Sequence, residues 1–322
     1  MGKSMGMMME RVDAIRVLEV GPRDGLQNEP GEVPVDAKVA LVEALAEAGL
    51  PEIEVGAFVN PKLVPRMADS AEVFRRLRRR EGTVYSALVP NRRGAEAALE
   101  AGADRVSVFA SASESFSRRN TNASIAESLE RFAPVFEIAA AAGRPVRAYL
   151  SCAFGCPDEG EVDPARVASI ARELLDAGAD EIDVSDTIGV AAPCDVDRVL
   201  DAVGAEIPIE RIALHFHDTR GTAIANVMAA IARGATRFDA SCGGLGGCPF
   251  APGASGNLAT EDLLYVCARS GIATGASLES VAAASSAIGA VLGRVPPSKV
   301  LAAIRSGAGS GQCRSGDAAP RR

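Results

Sequence analysis

The sequence predicts an α/β fold, a TIM barrel closed by eight βα units, and three observations lead there. One pattern recurs: an alanine-rich helical segment, a glycine with a small neighbour, then a short β-branched run, as in L-A-E-A-G-L-P-E-I-E-V, A-L-E-A-G-A-D-R-V-S-V, L-L-D-A-G-A-D-E-I-D-V and A-I-A-R-G-A-T-R-F-D-A. Gly49, Gly102, Gly178 and Gly234 occupy the position in those segments where a helix ends and φ must turn positive. Eight runs have strand character, and helical patterns separate most of them, which means parallel strands joined by right-handed crossovers. A doubly wound open sheet is the alternative, but no G-x-G-x-x-G follows the first strand, which disfavours its dinucleotide-binding version.

In chain order, residues 1–12 read as a flexible leader, because Glu10 and Arg11 interrupt any secretory apolar core. The predicted strands are 16–20, 52–55, 84–89, 105–109, 146–151, 181–185, 212–216 and 237–240, each a short run bounded by turn or capping residues. Between the second and third, Phe74 and Leu77 fall three apart, so the arginine-rich stretch 75–80 is expected on the solvated face of a helix. The glycine-rich segment 243–257 follows the eighth strand and carries two prolines, so it is a loop, and a loop this long in a compact enzyme usually lines a site. The barrel and its C-terminal helices are expected to span residues 13–305, as one domain. Residues 306–322 are small and polar, bury too little apolar area to offset their ordering entropy, and are expected to be disordered.

Composition narrows the function classes. A net charge of −8 argues against a nucleic-acid binder, which needs clustered Lys and Arg. No apolar run is long enough to span a bilayer, so no membrane role is expected. Seven cysteines form no small-domain disulfide framework, and a reducing cytoplasm is the simplest setting.

The only two histidines, His215 and His217, stand one residue apart at the end of the seventh strand. Strand residues two apart share a face, so two imidazoles roughly 6–7 Å apart at Cβ can converge on one ion. A strand with two satisfied ring nitrogens is the competing interpretation. In a TIM barrel the site lies at the C-terminal strand ends. There the chain has E-V-G-P-R-D-G-L-Q-N-E, E-I-E-V-G-A-F, D-V-S-D-T-I-G and H-F-H-D-T-R-G, a gathering of acids, amides and arginine that packing alone would not choose. Asp24 either pairs with adjacent Arg23 or caps a turn, or else it faces the histidines and shares a divalent cation with them. Asn257 is either a helix N-cap or a carbonyl donor to that ion. Cys248, in the glycine-rich loop, is incidental or a thiol that enters the cavity to move a proton.

Together E-V-G-P-R-D-G-L-Q-N-E, S-C-A-F-G-C-P, D-T-I-G, H-F-H-D-T and G-L-G-G-C-P-F-A-P-G-A-S-G-N-L-A-T-E-D-L resemble the 3-hydroxy-3-methylglutaryl-coenzyme A lyase family, over about residues 17–299. The resemblance implies a retro-Claisen cleavage of an acyl-coenzyme A thioester to acetyl-coenzyme A and acetoacetate. It implies Asp24, His215, His217 and Asn257 as ligands for Mg²⁺ or Mn²⁺, and Arg23 as the group that steadies the thioester enolate. Cys248 and His215 become the candidate proton donors, Glu54 and Asp186 acidic site residues, and Gln27 and Gly247 substrate neighbours. It further implies a homodimer. Departures from the family pattern occur at Gly56 and Ala57, where Thr-Ser is expected, at Asp183 in place of serine, and at Arg220 in place of an aromatic. Each is expected to bear on the acyl pocket, so a related 3-hydroxy-3-alkylglutaryl thioester is the alternative substrate. A condensing synthase of the same barrel superfamily is a weaker alternative, since those enzymes usually carry His-x-Asn-Asp where this chain has H-F-H-D-T.

Overall fold

A computed structural model describes residues 12–246 and 256–307. Eight parallel strands, β1 (Arg16–Glu19), β2 (Glu52–Ala57), β3 (Val84–Leu88), β4 (Arg105–Ser111), β5 (Val146–Ser151), β6 (Glu181–Asp186), β7 (Ile212–Phe216) and β8 (Arg237–Ala240), pair in sequence order and close into a barrel. The predicted strands agree with these to within two residues at every end, and the open sheet is excluded. Gly49, Gly102, Gly178 and Gly234 all have positive φ, between 91° and 119°, so each helix does stop where only glycine turns without strain.

Alternation along the strands sorts the side chains. Val17, Ile53, Val106, Ala148, Ile182, Leu214 and Phe238 face outward and are buried against the surrounding helices. Several inward positions are charged where such barrels usually carry aliphatic residues. At the base, Arg105 pairs with Glu52 (3.1 Å) and Glu181 (3.4 Å), Arg237 with Glu181 (3.1 Å) and Arg16 with Glu52 (3.0 Å). Above them Arg147, fully buried, reaches Glu181 (3.2 Å), Asp183 (2.6 Å) and Asp239. Burying a guanidinium is tolerable here only because several carboxylates surround it.

The arginine stretch departs from expectation. Its helix, Ser70–Arg76, ends when Leu77 turns extended (ψ 130°), so Arg78, Arg79 and Arg80 lie on the irregular segment that follows. Arg78 pairs with Glu43 (2.5 Å) and Arg79 with Asp104 (3.0 Å). Among the described residues no helix is long and apolar enough to cross a membrane. The expected leader and tail fall outside the described residues except at Val12, Ser306 and Gly307.

Candidate active site

Three segments converge at the C-terminal mouth of the barrel. After β1 the chain winds into one wide turn, Gly21–Gly25, in which the N–H groups of Arg23, Asp24 and Gly25 all point at the Val20 carbonyl (3.2, 2.8 and 3.2 Å). The turn throws Arg23 and Asp24 over the barrel. Buried Glu19 holds its start: Oε1 accepts from Gly21 N–H (2.8 Å) and Cys242 N–H (2.7 Å), and Oε2 from the Thr260 hydroxyl (2.7 Å). One carboxylate therefore ties the turn after β1 to the root of the glycine-rich loop after β8.

His215 and His217 both face inward at the end of β7, with ring centroids 5.1 Å apart. One donor atom from each, with one carboxylate oxygen of Asp24, all lie within 4.8 Å of one another. Asn257 bridges to His217 through the backbone. Its Nδ2 donates to Asp24 Oδ2 (2.8 Å) and to the Leu245 carbonyl (3.0 Å), leaving Oδ1 buried without a partner. The N-cap alternative for Asn257 is therefore wrong: the helix Thr260–Ser270 has Ala259 at its cap and no side-chain bond there. Asp24 makes its Arg23 contact (2.9 Å) and faces the histidines as well, so the two readings of that residue hold together.

Asp24 and His217 hold the protonation states that a bound cation needs, and His215 would give up a proton to it. Burial works against the Asp24 carboxylate, yet Arg23, His215 and His217 hold it below the usual carboxylate range. His217 is pushed down to about 3 by burial and by His215, so its ring is neutral, and its buried Nδ1 lacks a partner. Burial also opposes charge on His215, but Asp239, at 3.2 Å from Nδ1, more than offsets this and raises it to about 9. A carboxylate that fixes one ring nitrogen and turns the other toward an ion is the usual support of a metal-binding histidine. Two imidazoles, a carboxylate and an unsatisfied amide oxygen are a nitrogen and oxygen donor set that fits a divalent cation.

The remaining candidates divide. Arg23, 5% exposed, donates through Nε to Glu54 and lies 5.3 Å from the Tyr149 ring centroid. Glu54 faces the same cavity, with Oε1 unpartnered, and Gln27 is half-buried just beyond the turn. Asp186, buried at the end of β6, accepts from Val190 and Ala191 N–H (3.0 Å each) through its two oxygens and lies near enough to His215 to interact with its charge, so it joins the loop after β6 to the site. Cys248 and Gly247 lie outside the described residues. On either side of that segment, Gly256 N–H donates to the Gly246 carbonyl (3.1 Å) beside Asn257. A Cβ on Gly246 would stand 2.6 Å from Asn257 Nδ2, so only glycine fits there.

The departures from the family pattern serve packing. Asp183 is fully buried and holds Arg147 and the Ser185 hydroxyl (2.5 Å). Arg220 donates to the carbonyls of Ile188 (2.9 Å) and Gly189 (2.8 Å). A Cβ on Gly56 would meet Ser70 Oγ at 2.4 Å, and Ala57 is buried at 1% exposure. Sequence reasoning missed Arg147, Tyr149, Asp239 and Glu19, which lie beneath or beside the site.

The HMGL-like family model matches residues 14–288. The chain is 51% identical over 290 residues to the 3-hydroxy-3-isohexenylglutaryl-CoA/hydroxy-methylglutaryl-CoA lyase of Pseudomonas aeruginosa, covering 90% of this chain and 97% of that one. Among solved structures it superposes on a hydroxymethylglutaryl-CoA lyase from Pseudomonas aeruginosa with a TM-score of 0.91 at 50% identity, covering 93% of this chain and 100% of that chain. It also superposes on an HMG-CoA lyase from Acinetobacter baumannii in complex with coenzyme A and 3-methylmalate (TM-score 0.86, 39% identity, 96% of this chain and 98% of that chain).

Proposed function

The chain belongs to the HMGL-like family, and on that premise we propose residue roles, a metal and an assembly for an enzyme that cleaves 3-hydroxy-3-methylglutaryl-coenzyme A to acetyl-coenzyme A and acetoacetate. It is a carbon–carbon lyase acting on an acyl-coenzyme A thioester. The observation that carries the site assignment is the convergence of Asp24, His215, His217 and the unpartnered Asn257 Oδ1 at one point of the barrel mouth.

Breaking the C2–C3 bond requires a tertiary hydroxyl to lose its proton while a thioester enolate leaves, so charge develops at two oxygens. A divalent cation held by those four residues, Mg²⁺ or Mn²⁺, supplies Lewis acidity at the hydroxyl. Arg23 supplies the second centre of stabilisation. Its Nε and Nη1 are anchored by Glu54 and Asp24, so the guanidinium is fixed before substrate arrives and need not reorganise as the enolate forms. Asp239 keeps His215 in one tautomer and orientation. Glu54 positions Arg23, and its free oxygen is the acidic group that faces the cavity. His215 and Cys248 are the candidate donors of the proton that converts the enolate to acetyl-coenzyme A. Gln27 and Gly247 border the substrate, Asp186 shapes the adjoining loop, and the working unit is a homodimer in the cytoplasm. Five free cysteines among the described residues suit a reducing compartment.

Purified protein supplied with Mg²⁺ or Mn²⁺ is expected to release acetyl-coenzyme A from 3-hydroxy-3-methylglutaryl-coenzyme A, and EDTA to abolish the release. Activity unchanged by exhaustive chelation would refute the metal assignment. The dual name of the Pseudomonas aeruginosa relative supports adding a longer 3-alkyl substrate to the assay, where a higher kcat/KM would make that the preferred acyl group.

A further inference from the structure

Tyr149 stands on β5 facing into the barrel, 3% exposed, with its hydroxyl buried and without a hydrogen-bond partner. A buried phenol that lacks a partner is costly unless something else meets it. Two guanidinium groups pack on its ring, Arg23 at 5.3 Å and Arg147 at 5.0 Å from the centroid. Arg147 is in turn locked by Asp183, Asp239 and Glu181. The ring is thus held rigidly, while the one polar atom it carries is left open.

We propose that the Tyr149 hydroxyl is a second donor, beside Arg23, to the thioester oxygen of the substrate, and that this bond strengthens as the oxygen takes on enolate charge. The assignment rests on the lyase reading given above. Tyr149 is packed on Arg23, so the substrate oxygen it meets is one that Arg23 meets, and not the alcohol that must give up a proton toward the Asp24, His215 and His217 cluster. Burial, with Glu54 and Asp239 nearby, pushes the phenol well above its ordinary range. It therefore keeps its proton and acts by donating a hydrogen bond, with no net proton transfer to balance. Arg147 and Asp183 become positioning residues that fix the ring. That gives the acid at position 183 a purpose in this chain.

The experiment compares wild type with Tyr149→Phe, which deletes only the unpaired oxygen, by steady-state kinetics on 3-hydroxy-3-methylglutaryl-coenzyme A and by thermal melting. The expected result is a loss of roughly 10²-fold or more in kcat, the size seen for removal of one oxyanion donor. KM should stay within about threefold and the melting temperature should be unchanged. Wild-type kcat in the variant would overturn the proposal while leaving the lyase reading intact. A raised KM with unchanged kcat would also overturn it, by placing the hydroxyl on a group that carries the same charge before and during the reaction. Wild type that cleaves no such thioester would overturn both.

Discussion

Replacing Glu19 tests whether one buried carboxylate holds the two halves of the site together. In Glu19→Ala the N–H groups of Gly21 and Cys242 and the hydroxyl of Thr260 each lose their acceptor. At about 1–3 kcal/mol for each buried unsatisfied group, the low end of the sum is about 3 kcal/mol, before any cavity penalty. At about 1.5 °C per kcal/mol, from an unfolding entropy of roughly 2.1 cal/mol/K per residue, the melting temperature should drop by roughly 4–6 °C. Activity should fall with it, because Gly21 opens the turn that carries Arg23 and Asp24. Glu19→Gln separates geometry from charge: its carbonyl can still accept from both N–H groups while the Thr260 hydroxyl rotates to accept from the amide, so stability at pH 5 should stay within about 1 kcal/mol of wild type. The pH dependence follows from burial, which raises Glu19 from 4.5 to about 8 against the pull of Thr260, Cys242 and Gly21. Between those values the folded chain holds a proton that the unfolded chain has released, so this group's contribution to stability falls as pH rises through the window and levels off above it. Denaturant unfolding from pH 4.5 to 8 should show that decline in wild type and a shallower one in Glu19→Gln. Equal melting temperatures for Glu19→Ala and wild type, or parallel pH profiles for Glu19→Gln and wild type, would refute the reasoning.

Three further outcomes are expected. Asp24→Asn removes the only carboxylate from the four-residue cluster and should weaken Mn²⁺ binding at least tenfold, read as free Mn²⁺ by electron paramagnetic resonance; unchanged affinity would remove Asp24 from the ligand set. Asp239→Asn should keep an oxygen toward Arg147 but present N–H groups to His215 Nδ1, which places the ring proton on Nε2 where the ion belongs. A loss of about 10–100-fold in Mn²⁺ affinity is expected, measured by the same titration, with the fold retained by circular dichroism. Gly56→Ser restores a hydroxyl of the family pattern yet drives a Cβ into Ser70, so it should cost about 1–3 kcal/mol in chemical denaturation, whatever it does to substrate choice.

The barrel was readable because its signals are local and repeated. A helix that stops on glycine and a β-branched run behind it need no tertiary information, and Gly49, Gly102, Gly178 and Gly234 behave as such stops. The metal cluster was half readable: His-x-His fixes two donors on one strand face, but only the fold brings Asp24 and Asn257, 233 residues apart in sequence, within 2.8 Å. Asp186 was legible as an acid at a strand end, but that both of its oxygens bond the next turn while it sits beside His215 was not; that needs the β6–β7 register. A signal for the missed residues was present. V-R-A-Y, E-I-D-V and R-F-D-A place polar or charged residues at every second position of strands whose outer face must be apolar, so those residues had to point inward. Which of them meet in space depends on the stagger of the strands, and no single segment encodes that.

Arg147 touches Glu181 at the bottom of the barrel and Tyr149 near its top, and Glu181 in turn engages Arg105 and Arg237. The enzyme's foundation and its chemistry consequently share one column of interlocked charge. A neutral change at the underside, far from any substrate, would leave an ion stranded and tilt a ring at the reacting end. Residues in that column can be exchanged in concert but hardly one at a time, so a lyase built this way has its freedom to vary in the loops around the rim.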